Sequence, residues 1–259
     1  PVCYFIGPQV WAWKRYRVRQ IKRRIDLFLV IFPFEEQFYS RHGIKAHYVG
    51  NPTSSLSVPN TSKTYQRDNQ KFKVALLPGS RQKEVELNFP IQLDAAQHVI
   101  KHCTAEFWVS KAPNIKEKYL SELYEKWLSQ GNPTLPIQIL HEKTTQLLPK
   151  VDCALIKSGT STLEATILQV PFVMMYCISK VSWYLMRPLV RTQTYCLANL
   201  IAGKRIVPEF IQKEATGDKI GDFLLTLLKD EQKYKEMQHD LKTATLRLGK
   251  KEAYAEGAQ

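Results

Sequence analysis

Two loops in the sequence carry residue types that could bind a phosphorylated ligand. The first is Pro78-Gly79-Ser80-Arg81, which stands between a β-rich apolar run and a helical pattern. Gly79 would let the backbone approach a ligand, the amides that begin the helix would face a phosphate, and Arg81 would add a bidentate fork. An ordinary βα turn with a surface arginine explains the tetrapeptide equally well. The loop is neither G-x-G-x-x-G nor a Walker loop, so the usual signals for NAD binding and ATP hydrolysis are missing.

The second loop, at 157–164, also follows a β-rich run and begins a helical pattern. Its small and hydroxyl-bearing residues Ser158, Gly159 and Thr160 could hold phosphate or ribose oxygens. Glu164 lies one turn into the helix, where dipole and capping effects favour any carboxylate, so a structural role is slightly preferred on local grounds. Two such loops at strand ends of one sheet are more informative together, because both can face one crevice that holds a diphosphate.

The remaining chemistry-bearing residues show no metal-binding pattern. Of the six histidines, only His98 and His102 are spaced four apart, and they lack an acidic partner at ligand spacing. There is no D-x-D motif for a metal-held sugar nucleotide. The five cysteines are scattered and form no C-x-x-C pair, which disfavours disulfides and favours a reducing cytosol. We therefore expect no metal and no cofactor, and a bound diphosphate would be neutralised by Arg81 and helix dipoles.

Alternating elements position these loops. Apolar β-rich runs and helical patterns alternate from 72 to 176, which predicts a doubly wound parallel sheet with its ligand at the strand carboxyl ends. The first fifty residues have a βαβαβ pattern, and a polar tract at 51–70 predicts a linker. We therefore predict an α/β protein with domains at 1–60 and 61–259, the second ending in two helices. The predicted strands are 2–6, 27–32, 46–49, 72–77, 106–109, 137–140, 154–156 and 172–176.

The charge of the chain favours anionic partners. Among 259 residues, 37 Lys and Arg against 24 Asp and Glu give a net charge of +13, which suits nucleic acid, a phosphorylated ligand or an anionic membrane. Seven of the eleven residues at 14–24 are basic, and Val18, Ile21 and Ile25 would keep one apolar stripe for the core.

The composition limits the class of protein. Hydrophobic residues make up 44% of the chain and charged residues 24%, which is typical of a compact globular fold. No apolar run approaches the roughly 20 residues of a membrane-spanning helix. The aromatic segment 181–191 contains two arginines, and a buried core helix and a membrane interface or acyl-chain groove are equally good interpretations of it.

A series of motifs runs in order across nearly the whole chain. They are Ile6-Gly7-Pro8-Gln9-Val10-Trp11-Ala12-Trp13, Phe32-Pro33-Phe34-Glu35, Val49-Gly50-Asn51-Pro52, Leu77-Pro78-Gly79-Ser80-Arg81 with Glu84, Ser158-Gly159-Thr160 with Leu163-Glu164-Ala165, and Asn199-Leu200-Ile201-Ala202-Gly203. Together these motifs resemble the bacterial lipid-A-disaccharide synthases. Their joint occurrence is far more specific than any one of them.

The resemblance implies an inverting glycosyltransferase of the GT-B architecture, with two Rossmann-like lobes and no metal requirement. Members of this family act in the lipopolysaccharide synthesis of Gram-negative bacteria. They transfer 2,3-diacylglucosamine from its UDP derivative to the 6-hydroxyl of 2,3-diacylglucosamine 1-phosphate, which gives lipid A disaccharide 1-phosphate and UDP. These two glycolipids are therefore the expected substrates.

The resemblance also implies substrate-binding roles for both loops and for one residue outside them. Arg81 and Ser80 would bind or neutralise the diphosphate, and Glu164 would hold the ribose. Asn199 would orient substrate near the reacting carbon, with Arg81 supporting departure of UDP. The residues implied to bind substrate are Gly79, Ser80, Arg81, Ser158, Gly159, Thr160, Glu164 and Asn199.

The chain departs from the family pattern at three points. Asn51 stands where many members have His, and Ala198 stands where Pro usually precedes the asparagine. Family chains also extend upstream of the point that matches Pro1, and the acidic general base lies in that upstream part. We therefore expect the amino-terminal lobe to be only partly present, and the chain alone to be inactive, because neither proton abstraction nor water exclusion is assembled.

The expected location is the cytoplasmic face of the inner membrane, where the chain would bind peripherally to an anionic surface. The edge of the first sheet could pair with a second copy, so a homodimer is also expected. The alternatives are another UDP-sugar enzyme of the same architecture, such as an epimerase or a peptidoglycan-pathway transferase, and a non-enzymatic binder of anionic lipid or RNA. Nucleic acid is disfavoured because stacking platforms, zinc knuckles and a helix-turn-helix pattern are missing.

Overall fold

A small parallel sheet lies near the amino terminus. The computed structural model describes residues 1–8, 10–11, 16–56, 71–187 and 194–249. The first elements are β1 (Cys3–Phe5), α1 (Arg17–Arg24), β2 (Leu27–Val30), α2 (Pro33–Ser40) and β3 (Ala46–Tyr48). Within the described residues β2 lies between β1 and β3, and all pairs are parallel. The βαβαβ prediction for the first fifty residues is confirmed, and we call residues 1–56 the small lobe.

A larger parallel sheet follows, in residues 71–249, which we call the large lobe. Its strands are β4 (Phe72–Leu77), β5 (Ala105–Ser110), β6 (Ile137–Leu140), β7 (Cys153–Lys157), β8 (Phe172–Tyr176) and β9 (Glu209–Ile211). In the part of the chain that the structure describes, their order is β6-β5-β4-β7-β8-β9. The strands β5 and β6 therefore lie on one side of β4, and β7, β8 and β9 lie on its other side. This order is that of a doubly wound nucleotide-binding sheet, and its switch point lies between β4 and β7.

Helices connect these strands and cover the sheet. They are α3 (Gln82–Ile100), α4 (Glu117–Leu128), α5 (Thr144–Leu147), α6 (Thr160–Ile167), α7 (Lys180–Met186), α8 (Leu197–Ala202), α9 (Gly217–Lys229) and α10 (Glu231–Arg247). The helical period predicted for α3 is confirmed, because Val85, Phe89 and Leu93 are all buried. The last helix begins where the Asp230 side chain accepts a hydrogen bond from the Lys233 amide.

The core of the large lobe explains why its strands are apolar without alternation. Val74, Ala75 and Leu76 of β4 have no exposed surface, because helices cover both faces of the sheet. One surface of α3 packs directly on α9, where a Cβ added at Gly217 would lie 2.4 Å from Cβ of Asp94. The rigid sheet with its close-packed helices gives β4 and β7 fixed positions from which the loops project.

The two lobes contact each other through aromatic residues and through the end of α10. Phe32, the N-cap residue of α2, belongs to the core of the large lobe, and Trp11 and Phe34 pack against that core. The Tyr48 hydroxyl of β3 donates a hydrogen bond to the carbonyl of Leu248, just after α10. The buried Asn51 side chain donates to the Ile31 carbonyl and accepts from the Thr53 amide, which fixes the path that leaves the small lobe.

Two segments differ from their predictions or lie partly outside the described residues. In the basic segment 14–24, α1 buries Val18 and Ile21 as predicted, whereas 14–15 lie outside the described residues. The polar tract 51–70 contains a 3-10 turn at Pro52–Ser55, and 57–70 lie outside the described residues, so the boundary near residue 60 stays a prediction. The sequence patterns did not predict α8 or β9.

The aromatic segment 181–191 is not a buried helix in its described part. Val181, Tyr184 and Leu185 of α7 are 70%, 67% and 71% exposed. The buried-core interpretation is therefore wrong for these residues, and 188–191 lie outside the described residues. No helix among the described residues has the length and apolarity to cross a membrane.

Candidate functional site

A pocket of about 670 Å³ lies at the carboxyl ends of β4, β5, β6 and β7. Both loops singled out in the sequence line it, one on each side of the switch point between β4 and β7. The structure therefore brings together most of the residues predicted from the sequence. Those that line the pocket are Gly79, Ser80, Arg81, Ser158, Gly159, Thr160 and Glu164.

The first loop depends on a glycine in the left-handed region. Gly79 has a φ of +127°, and a Cβ there would lie 3.1 Å from both Cβ and Oε2 of Glu84. Because any other residue would be strained and crowded, the turn between β4 and α3 requires glycine. Arg81 stands at the N-cap of α3, with its side chain 78% exposed at the rim of the pocket.

The second loop is tied to its neighbours by hydrogen bonds. The Ser158 amide donates to the Met175 carbonyl of β8, and the Ser158 hydroxyl donates to the Tyr195 carbonyl. The Thr162 hydroxyl and amide both donate to the Gly159 carbonyl at the start of α6. The first amides of a helix have no acceptors inside the helix, and both α3 and α6 begin at the pocket. Two helix N-termini therefore give the pocket a positive potential.

Glu84 and Lys157 also line the pocket, and no role was predicted for them from the sequence. Oε1 of Glu84 lies 2.7 Å from Nη1 of Arg81 and 3.0 Å from Nζ of Lys157. Partial burial raises the pKa of Glu84, but contacts with Lys157 and Arg81 outweigh it and hold the pKa below its usual value. Two features of the sequence could have pointed to these residues. Glu84 follows Arg81 by three residues, and Lys157 directly precedes Ser158. Neither signal predicts that the two loops meet at one carboxylate.

Glu164 lies on the pocket side of α6, where burial raises the pKa of its carboxyl above the usual value. The loop after β6 provides another part of the wall, including His141, Lys143 and Thr144. No motif marked that loop in the sequence analysis, and its place after a predicted strand was the only signal. Among the described residues, no group of three His, Cys, Asp or Glu side chains could hold a metal ion.

The structure corrects the prediction that Asn199 contacts substrate. Asn199 is 2% exposed and does not line the pocket. Its Oδ1 accepts from the amides of Ile206 and Val207 at 2.7 and 2.8 Å. Its Nδ2 donates to the Val207 carbonyl and to Oε1 of Glu209, at 2.8 and 2.7 Å. The amide group is therefore fully used inside the protein.

Asn199 instead supports the second loop through intermediate contacts. The Glu209 carboxylate, which Asn199 holds, accepts hydrogen bonds from the amides of Tyr195 and Cys196 at 2.9 and 3.1 Å. The carbonyl of Tyr195 in turn accepts a hydrogen bond from the hydroxyl of Ser158 at 3.2 Å. Asn199 therefore connects to Ser158 through Glu209 and Tyr195, and the sequence pattern alone did not distinguish such a structural contact from substrate contact.

Solved structures define the fold class. A Listeria monocytogenes protein assigned as a UDP-N-acetylglucosamine 2-epimerase aligns with 97% of this chain and 63% of its own, at a TM-score of 0.60 and 15% identity. The Anabaena HepE protein, crystallised with UDP and glucose, aligns with 100% of this chain and 70% of its own, at a TM-score of 0.52 and 13% identity. The predicted α/β fold with Rossmann-like lobes of GT-B type, the amino-terminal one partial, is confirmed.

The sequence comparison identifies the family. The family model described as lipid-A-disaccharide synthetase matches residues 1–259, and this chain belongs to that family. The lipid-A-disaccharide synthase of Koribacter versatilis is 36% identical over 238 residues, which cover 89% of this chain and 60% of that protein. The Acinetobacter baylyi enzyme is 32% identical over 246 residues, covering 91% and 62%. The chain thus spans about 60% of the length of these curated relatives.

Proposed function

We propose that this chain acts in lipid A synthesis as the donor-binding part of a lipid-A-disaccharide synthase. Its pocket would bind UDP-2,3-diacylglucosamine, and the second substrate would be 2,3-diacylglucosamine 1-phosphate. Family membership supports the reaction class. The observation that carries the proposal is the meeting of the two predicted loops at one pocket across the switch point of the sheet. In this proposal residues 61–259 form the donor domain and residues 1–60 belong to the acceptor-side lobe.

The pocket offers groups that would support departure of UDP. In the proposed reaction the acceptor 6-hydroxyl attacks the anomeric carbon, the bond from that carbon to the diphosphate breaks, and negative charge grows on the departing UDP. In this proposal Arg81, Ser80 and the amides that begin α3 and α6, which line or begin at the pocket, would stabilise that charge. We assign the ribose hydroxyls to Glu164 and the nucleotide to 158–160. The proton of the attacking hydroxyl would pass to an acidic general base, a role that we assign to none of these pocket residues.

Titration of UDP into the chain tests this proposal. We expect UDP to bind more tightly than UMP, because the two loops are proposed to hold a diphosphate, and more tightly than ADP, because the proposed donor carries uridine. Arg81→Ala should weaken UDP binding about 10-fold, the loss expected for one hydrogen bond to a charged group at a solvent-exposed rim. Isothermal calorimetry measures both effects.

The matched control is Lys118→Ala, which removes an exposed cation of α4 that does not line the pocket. This variant should bind UDP like the unmodified chain. Equal affinities for UDP, UMP and ADP, or an Arg81→Ala variant that binds UDP normally, would contradict the proposed site.

Two surfaces support the proposal of peripheral binding at the cytoplasmic face of the inner membrane. The outer face of α1 exposes basic side chains, and α7 exposes Val181, Tyr184 and Leu185. Near the end of α7, the Arg187 guanidinium lies 5.9 Å from the centre of the Trp183 ring. Basic and apolar groups together suit an anionic lipid surface. We expect the chain to sediment with phosphatidylglycerol vesicles and not with phosphatidylcholine vesicles, and equal sedimentation with both would refute an anionic-surface preference.

The proposal also includes a second copy of the chain. Among the described residues β1 is an edge strand, and Tyr4, Phe5 and Ile6 are 40%, 36% and 43% exposed. An apolar edge strand offers unpaired backbone groups to a partner. Light scattering should give twice the monomer mass, and a monomer mass at every concentration would exclude the homodimer.

A further inference from the structure

Three charged side chains meet at the pocket, and they differ in exposure to solvent. Oε1 of Glu84 lies between Nη1 of Arg81, at 2.7 Å, and Nζ of Lys157, at 3.0 Å. The Arg81 side chain is 78% exposed, whereas those of Glu84 and Lys157 are only 16% and 11% exposed. One cation therefore stands at the solvent-exposed rim, and the other lies at the inner wall of the pocket.

Packing fixes the position of the Lys157 ammonium. The side chain leaves the last residue of β7, and its Nζ lies 5.3 Å from the centre of the Tyr176 ring on the neighbouring strand. A Cβ at Gly79 would contact Cδ of Lys157 at 3.6 Å and Glu84 at 3.1 Å, so the first loop closes directly over this pair. The lysine therefore cannot follow a ligand into solvent as an exposed side chain can.

The cluster contains two positively charged side chains and one negatively charged side chain. One carboxylate shares one oxygen between two cations, so the cluster keeps a net charge of +1. An ammonium has three donors, and Glu84 accepts one of them, which leaves donors for a bound anion. If Lys157 were absent, Glu84 would neutralise Arg81 alone, and the positive charge of the cluster would be lost.

We propose that Lys157 is a second anion-binding residue. Its ammonium contacts the phosphate of the bound diphosphate that lies nearer the inner wall of the pocket, and Arg81 contacts the other phosphate from the rim. Glu84 is the positioning residue that holds the two cations side by side. The inference rests on the proposed function, because it names a further contact for the same UDP-sugar. Since both nitrogens contact one oxygen, they lie within about 6 Å of each other, close enough for one diphosphate to bridge them.

The test compares affinities for UDP and uridine in four proteins: the unmodified chain, Lys157→Met, Glu84→Gln and the double variant. Methionine keeps most of the apolar stem and removes the charge. We expect Lys157→Met to weaken UDP binding by about 10- to 100-fold, the loss typical of a buried hydrogen bond to a charged group. Uridine affinity should be unchanged, which also shows that the pocket is folded. The dependence of UDP affinity on salt should become weaker, because one cation has been removed.

The double variant separates direct contact from an indirect effect. If Lys157 contacts the phosphate, the Lys157→Met/Glu84→Gln protein stays weak for UDP. If Lys157 only neutralises Glu84, removing both charges restores UDP binding, and the inference is wrong. Lys118→Met serves as the matched control, because it makes the same chemical change on the exposed face of α4.

The remaining outcomes separate this inference from the proposed function. An unmodified chain that binds UDP, together with a Lys157→Met variant that binds it equally well, overturns only the role of Lys157. An unmodified chain that binds no UDP overturns the proposed function and this inference with it. If Lys157→Met fails to fold, Lys157→Arg is used, and it should keep the preference for UDP over uridine because the charge remains; loss of that preference counts against phosphate contact.

Discussion

Asn199→Ala is expected to lower the free energy of unfolding by about 3 to 5 kcal/mol, because it leaves several buried polar groups without partners. The groups concerned are the amides of Ile206 and Val207, the Val207 carbonyl and the Glu209 carboxylate. Urea unfolding monitored by tryptophan fluorescence measures the loss. UDP binding should also weaken, because Glu209 holds Tyr195 in place, and the Tyr195 carbonyl accepts a hydrogen bond from the Ser158 hydroxyl of the second loop.

The control for this prediction is Asn132→Ala. Asn132 is half-buried, and its Nδ2 donates a hydrogen bond to the Trp127 carbonyl at 2.8 Å. Loss of such a bond should cost about 1 kcal/mol. Equal losses in the two variants would contradict the positioning role of Asn199. A variant that keeps its stability but loses UDP would instead favour direct substrate contact.

Glu35→Gln is expected to remove a pH dependence of stability that we predict for the unmodified chain. Glu35 is 3% exposed and accepts hydrogen bonds from Trp11 Nε1 and from the amides of Ile31 and Phe32. Burial raises its pKa from 4.5 to about 7, and the three hydrogen bonds oppose that shift only in part. Because the pKa is raised on folding, the stabilisation is present below pH 4.5 and is lost as the pH rises through 7.

The size of this effect follows from linkage. Relative to Glu35→Gln, the unmodified chain should lose about 3 kcal/mol of stability between pH 4.5 and pH 8. Denaturant unfolding at a series of pH values measures the difference between the two proteins. Glu86→Gln, which changes an exposed carboxylate on α3, is the control and should show a much smaller change. A difference between unmodified chain and Glu35→Gln that is the same at every pH would argue against a buried, neutralised Glu35.

Local sequence patterns predicted where the pocket loops lie, but they did not decide whether the loops bind a ligand. The apolar runs of β4 and β7 predicted buried parallel strands, and a glycine with hydroxyl residues after each predicted a βα turn. The rules of doubly wound sheets then placed both turns at the same edge. Seven of the eight predicted binding residues line the pocket. The short elements α8 and β9 were missed, because neither is long enough to show a period.

Contacts between distant residues could not be predicted in this way. Glu84 and Lys157 are far apart in sequence, and only the pairing of β4 with β7 brings them together. The contacts of Asn199 depend on Glu209 in β9. The sequence does not distinguish an asparagine whose amide is buried from one whose amide faces a ligand. The exposure of α7 was likewise undecided, because an apolar helix can pack inside a protein or face a lipid surface.

The most direct test of the proposed donor site is a crystal structure of this chain with UDP. The diphosphate should lie between the two loops, with oxygens within about 3 Å of the 79–81 and 158–160 segments and of Nζ of Lys157. The ribose should contact Glu164, and Asn199 should keep its bonds to Val207 and Glu209. A diphosphate bound away from the switch point of the large sheet, or held by only one of the two loops, would contradict the site.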